Sequence, residues 1–429
     1  MKTVKLTGGS VVTAEKLCRA DIILRDGMVA LAGNDLGCDE TIDITGKYAV
    51  PGFVDIHFHG YNLFEFTSGR FDPDSGKFDS SASAYQYGFE MLSSTLARFG
   101  VTGFYLASWA APIETLRNCY HRLADWLVKN ANNGAKILGG SLEGSFINPG
   151  MAGAQNPKNA FEHFHENFDR IDDRGSIKLA NVVPDFGAAS CRLTEYLVGK
   201  GIIVGAGHTN AAFSQVQDAV KAGLKYIIHF TNGPTGGSYK SFNGGGAIEA
   251  GLTIDGLYVE QIADGFHVNP AYVRDIIKRK GIDRTIAVTD ALYVAGSTLR
   301  EFEIGGVRGR VSDNGLYNCV ADDPRTLCSS NLTMDRGFGN LLSWLSCNMK
   351  GIWNAEHQAM SFENALIAAA KMCSTNPCSL MGLDSDGYGC IQDGSKADLA
   401  VLAIEGKPGN YKVVVEYTFV DGNMVYSRQ

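Results

Sequence analysis

Between about residue 50 and residue 290 of this 429-residue chain, eight short apolar runs alternate with stretches of helical spacing. The runs end near His59, Ala107, Glu143, Val183, His208, His229, Asp264 and Asp290. A helical stretch between two of them is clear after Pro112, where Leu116, Tyr120, Leu123 and Leu127 recur at core-facing intervals. Parallel strands need a crossover, and a helix is its usual form. Eight such repeats predict a (β/α)8 barrel. A plain barrel takes about 250 residues, so insertions are expected, at 150–175 and 292–335. Residues 336–382 read as helical.

The flanks have a different texture. Ile22–Leu31 reads as two strands around Asp26-Gly27, and Val413–Tyr426 repeats the pattern around Asp421-Gly422. Thr41–Ile44 alternates with period two. Both ends are therefore expected to join into one small β-sandwich domain beside the barrel. The implied division is 1–52 and 383–429 for the small domain and 53–382 for the catalytic barrel.

Composition narrows the function classes. Hydrophobic residues make up 45% and charged ones 20%, as in ordinary globular proteins. A net charge of −8 argues against a general nucleic-acid or membrane-surface binder. No apolar run has membrane-spanning length, and Met1–Thr7 passes directly into strand-like sequence without a signal-like segment. Ten scattered cysteines form no Cys-x-x-Cys pair and read as reduced thiols. A cytoplasmic enzyme is the expectation.

The chemistry lies at the strand ends. Active sites of such barrels sit at the C-terminal ends of their strands. His57 and His59 end the first run two residues apart, so both imidazoles project to one side. Glu143, His208, His229 and Asp290 end the third, fifth, sixth and eighth runs, and His267 lies just past the seventh. His and carboxylate side chains hold zinc-like ions. Such an ion lowers the pKa of water and polarises a carbonyl. Asp290 suits the general base that takes the proton and passes it to a leaving group, and Glu143 suits a bridge between two ions. The set predicts metal-assisted hydrolysis of an amide or related C–N bond, with one or two divalent ions. Zinc is the leading candidate, and iron, manganese and cobalt fit the same donors.

The same residues resemble a family. Pro51-Gly-Phe-Val-Asp-Ile-His-Phe-His59 is similar to the opening signature of the amidohydrolase superfamily. Leu142-Glu-Gly-Ser, Gly207-His-Thr-Asn-Ala, His229-Phe-Thr-Asn-Gly, Ile262-Ala-Asp-Gly-Phe-His and Val288-Thr-Asp-Ala resemble the N-acetylglucosamine-6-phosphate deacetylase family, as does the substrate loop Leu327-Cys-Ser-Ser-Asn-Leu-Thr-Met. The resemblance implies removal of acetate from a 2-acetamido sugar phosphate by a homodimer with shared sites. It implies Glu143, His208 and His229 as core metal ligands and Asp290 as base and acid. It places Asn232, Gly233, His267, Leu327 and Ser329 against the substrate.

Three departures mark this chain. Gln155 stands where the family has a histidine, and it is expected to donate to the acyl oxygen. Lys240 is the nearest cation to the family's phosphate-binding arginine, and it lacks the arginine's bidentate fork. Asn232-Gly233 replaces Asn-Ala. Other substrates therefore stay open: the galactosamine epimer, an unphosphorylated N-acetylhexosamine or another N-acyl compound. A silent sugar-binding barrel and a cyclic-amide hydrolase are further alternatives; the latter commonly bridges its ions with a modified lysine, where this chain offers Glu143. His163 and His165 are expected on a solvated loop, His357 as structural, His121 as surface or core, and the Trp and Tyr residues as core and rim. Gly244-Gly-Gly246 reads as a tight loop, with a phosphate cradle as its alternative.

Overall fold

A computed structural model describes residues 2–31, 37–129, 133–233, 244–353 and 356–428. Eight parallel strands form one sheet: Phe53–Phe58, Val101–Ala107, Lys136–Leu142, Ile177–Asn181, Ile203–Ala206, Leu224–Ile227, Tyr258–Ile262 and Thr285–Val288. Every residue of the first two is buried. Helices cover the outside and side chains fill the inside, so these strands read as unbroken apolar runs. The first and eighth strands close the ring through Asp290 N–H to His57 O at 2.9 Å and His59 N–H to Ala291 O at 3.0 Å. Asp55 adds to the closure by accepting from the Thr289 hydroxyl at 2.5 Å.

The outer helices form where the sequence supplies a cap and an apolar stripe. Ser81 caps Ala82–Ala97 by accepting from Ala84 N–H. Ile113–Lys129 buries Leu116, Cys119, Tyr120, Leu123, Ala124 and Trp126 and turns its charged residues outward. The long helical expectation for 336–382 divides in two. Met334–Leu345 is one helix, and Phe362–Leu380 is another, with a wider turn at Lys371–Thr375. Between them His357 is buried against Asp275 at 2.7 Å.

The small β domain takes strands from both flanks. Tyr48–Pro51 pairs antiparallel with Leu399–Leu402, inside a six-stranded sheet that also holds Ser10–Val12 and Asn410–Val420. A second sheet of Val4–Thr7, Ile22–Arg25, Met28–Leu31 and Glu40–Asp43 packs on it through Leu6, Ile22, Leu24, Ala49, Leu399 and Phe419. Both Asp-Gly pairs turn as expected: Asp26 and Gly27 have φ 51° and 76°, Asp421 and Gly422 have 48° and 75°.

Three insertions rise over the C-terminal end of the barrel. Residues 150–175 hold short turns and the helix His165–Ile171. Residues 301–330 form a four-stranded antiparallel sheet. A third insertion was not expected: a small sheet within Gly60–Asp79, directly after the first strand. Its strands are two to four residues long, too short for alternation to show. Trp109, Tyr293, Phe302, Cys328, Phe71 and Phe78 pack the two sheets together. His163 is not solvated: it is buried and packs at a tilt against Phe186, with ring centroids 4.7 Å apart.

Candidate active site

Glu143, His208, His229 and Asp290 each follow a barrel strand, and His57 and His59 lie at the end of the first. All six are buried. His208, His229 and Asp290 leave their strands with φ of 56°, 27° and 50°. Such left-handed backbone is uncommon for residues other than glycine and gathers at functional sites. The surroundings hold it in place. Asn181 clasps Gly207, taking its N–H at 2.9 Å and donating to its carbonyl at 3.2 Å. Asp185 accepts from the Thr209 hydroxyl and from Asn210 N–H. Ser330 N–H donates to Asp290 O at 2.8 Å.

The donor atoms converge. Glu143 Oε1 is 3.0 Å from His208 Nε2 and 2.9 Å from His229 Nε2. Glu143 Oε2 is 3.6 Å from His59 Nε2, and Asp290 Oδ1 is 3.2 Å from His59 Nε2 and 3.8 Å from His57 Nε2. Two three-residue clusters result, His57–His59–Glu143 and Glu143–His208–His229, each with donor atoms within 4.8 Å of one another. Glu143 belongs to both.

Tautomers show what this arrangement suits. His208 Nδ1 is 3.1 Å from the Met151 carbonyl and His59 Nδ1 is 3.1 Å from the Ala107 carbonyl. A carbonyl only accepts, so both rings carry a proton on Nδ1, which leaves Nε2 as the atom turned to the carboxylates and the one open to a metal. Burial, with His208 alongside, lowers the pKa of His229 and favours its neutral form. Burial pushes Glu143 upward, but His208 and His229 outweigh it and hold its carboxyl well below the usual range. Imidazole Nε2 atoms gathered at about 3 Å from a shared carboxylate oxygen have the spacing of ligands around a cation. Ligand atoms 2.0–2.1 Å from a tetrahedral ion sit roughly 3.3 Å apart. His57 Nε2, buried and without a hydrogen-bond partner, adds an open donor on the other side of Glu143. The residues present fit a divalent metal, and they fit two.

Asp290 stands against this set. Burial raises its carboxyl, but the hydrogen bond with His59 and the nearby His57 prevail and lower it. Ser329, expected at the substrate, donates its hydroxyl to Asp290 Oδ1 at 3.1 Å. Gln155 donates its amide to Glu143 Oε2 at 2.5 Å and accepts Ala110 N–H at 2.6 Å. It therefore braces the ligand carboxylate, with one amide hydrogen left for the cavity. Gly144, at φ 82°, lets this brace close: a Cβ there would meet Ala110 N at 2.5 Å and Gln155 Oε1 at 2.7 Å.

A cavity of about 450 Å3 opens above these groups, lined by Gln155, Asn232, His267, Leu327 and Ser329 among others. His267 Nδ1 is tied to Asp264 at 2.6 Å, and its buried Nε2 has no partner. Gly233 lies beneath the wall, where a Cβ would overlap the His229 ring. Lys240 lies outside the described residues. Within the Gly244–Gly246 run, Gly246 N–H is donated to Glu249 at 2.7 Å as the cap of helix Ala247–Thr253.

Several residues here were not singled out by sequence. Trp109 lines the cavity and packs at a tilt against His59, with ring centroids 4.8 Å apart; it sits two positions past the second strand, and the strand-end rule alone would have found it. Thr231 and Arg325 also line the cavity, and Arg325 is its one lysine or arginine among the described residues. Glu260, buried in the seventh strand, bonds His57.

A family model described as "Amidohydrolase family" matches residues 48–425. The chain belongs to the amidohydrolase family. That family is metal-dependent, in keeping with the two donor clusters. Among curated proteins, this amidohydrolase is 28% identical to N-acetylglucosamine-6-phosphate deacetylase of Vibrio furnissii, over 88% of this chain and 82% of that one. It is 26% identical to the Homo sapiens protein of the same name, over 99% and 96%. Among solved structures, a mutant of the Mycobacterium smegmatis N-acetyl-D-glucosamine-6-phosphate deacetylase, in complex with N-acetyl-D-glucosamine-6-phosphate, superposes with TM-score 0.80 at 22% identity over the full length of both chains. A D-hydantoinase superposes at 0.57 and 14%, over 99% of this chain and 95% of that one. These superpositions establish the shared barrel and small β domain.

Proposed function

We propose that this amidohydrolase removes acetate from N-acetylglucosamine 6-phosphate, giving glucosamine 6-phosphate. The observation that carries the reading is the meeting of Glu143 Oε1 with His208 and His229 Nε2, beside Asp290, on the floor of the cavity. The similarity to curated deacetylases along nearly the whole chain supports the substrate. In this reading Glu143, His208 and His229 hold one divalent ion, and His57 and His59 share Glu143 to hold a second. Bound there, a divalent ion supplies an acidified water and a Lewis acid for the acyl oxygen. Asp290, kept ionised by its neighbours, takes the proton of the attacking water and returns it to the sugar nitrogen as the C–N bond breaks. His267, Asn232 and the Leu327 loop orient the sugar. Lys240 and the cavity-lining Arg325 are the candidate cations for the phosphate. No described helix is long and apolar enough to cross a membrane, and a cytoplasmic homodimer remains part of the proposal.

The test is acetate release from N-acetylglucosamine 6-phosphate, its galacto epimer and both plain sugars, with zinc, iron, manganese or cobalt added. The phosphorylated gluco sugar is expected to give the highest kcat/KM. No acetate from any sugar with any ion would remove the deacetylase reading. A preference for a plain sugar would remove the phosphate contact, and Lys240→Ala should raise KM only for phosphorylated substrate.

A further inference from the structure

Glu260 lies in the barrel strand Tyr258–Ile262 and is 1% exposed. A carboxylate buried so deeply needs specific partners. One of its oxygens, Oε2, is 3.0 Å from His57 Nδ1 and accepts the backbone N–H of His229 at 2.8 Å. His57 therefore donates its Nδ1–H to Glu260 and keeps that proton, which leaves Nε2 as its ligand atom. That Nε2 is buried without a hydrogen-bond partner and belongs to the cluster with His59 and Glu143.

The other rings are held differently. His59 and His208 donate to neutral carbonyls, those of Ala107 and Met151. His57 is held by a carboxylate, which orients the ring and raises its basicity more strongly than a carbonyl does. The second bond of Glu260 pins the backbone at His229, on the opposite side of Glu143. One buried carboxylate thus touches both halves of the site.

Taking His57 as a ligand, which rests on the reading above, we propose that Glu260 is a positioning residue that makes His57 a competent donor and so sets the affinity of the second ion. The first ion, held by Glu143, His208 and His229, depends on it far less.

The test is a zinc titration of the metal-free full-length protein by calorimetry, with bound metal counted by atomic emission. The wild type should take up two equivalents. Glu260→Gln keeps an acceptor for His229 N–H but loses the charge facing His57. It should weaken the second equivalent by about 10–100-fold, leave the first nearly unchanged and keep the metal-free Tm of the wild type. Two equivalents at wild-type affinity in Glu260→Gln would overturn the proposal. So would equal weakening of both equivalents together with a lower metal-free Tm, which would mark Glu260 as a general brace. His57→Asn in the same titration separates the two readings. If His57→Asn binds two ions normally, the ligand assignment fails, and the inference falls with it. If it loses the second ion while Glu260→Gln keeps it, this inference alone fails.

Discussion

The barrel strand Lys136–Leu142 has a charged group at each end, half-buried at its start and buried at its finish. At its start, Lys136 Nζ lies 3.0 Å from Asp398, 2.7 Å from Asp421 and 3.3 Å from the Tyr388 hydroxyl. At its finish, Glu143 faces His208, His229 and His59, with Asp290 alongside. The first cluster is complete within the chain: an ammonium meets two carboxylates and an aromatic ring. The second is not: its carboxylates and imidazoles face one space, and among the described residues no lysine or arginine pairs with either acid. A buried group without an internal counterpart costs several kcal/mol, and folds keep such groups where something from outside completes them. One strand therefore shows side by side a cluster that serves the fold and a cluster that serves the chemistry.

Removing divalent metal by dialysis against a chelator should separate the two ends most sharply. Deacetylation should fall at least about 10^3-fold, since the ion supplies several kcal/mol of transition-state stabilisation. Adding the metal back should restore it, as read by acetate release. Next comes Asp290→Asn, with kcat lower by about 10^3-fold and metal content retained, as measured by turnover and atomic emission. Gly233→Ala should push the His229 ring aside and lower kcat/KM by up to about 10^2-fold, with the loss traced by weaker binding of the first ion.

Lys136→Met should do the opposite. Its kcat should stay within about twofold of wild type, while stability drops by about 3 kcal/mol in denaturant titration, because the buried Asp398 loses its cation. Burial works to lower the pKa of Lys136, but Asp398 and Asp421 outweigh it and raise the value above that of a free lysine. The stabilisation is therefore fully present below about pH 10.4 and fades as pH rises through the higher folded value. The stability gap between wild type and Lys136→Met should be flat from pH 6 to 10. A large loss of turnover in this variant would erase the distinction between the two ends.

The strand ends were legible because chemistry and topology point the same way there. His57, His59, Glu143, His208, His229 and Asp290 follow apolar runs that have no other use for them. Glu260 and Lys136 were not legible. Each occupies a strand position where a charged residue reads as an edge or an end, and only the closed barrel shows that they point inward. Gln155 was read for what an amide can donate, yet its partners are set by Ala110 and Glu143, which meet only after folding. The sheet within Gly60–Asp79 is held by packing against Tyr293 and Phe302, far along the chain, so no local pattern announces it.

The pairing of Tyr48–Pro51 with Leu399–Leu402 carries a cost in time. During synthesis at about 5–20 residues per second, the earlier strand waits roughly 20–70 s for its neighbour. Through that interval the edge beside the first histidine-bearing strand stays open to mispairing, so yield in cells should depend on chaperone supply more than the stability of the finished protein would suggest.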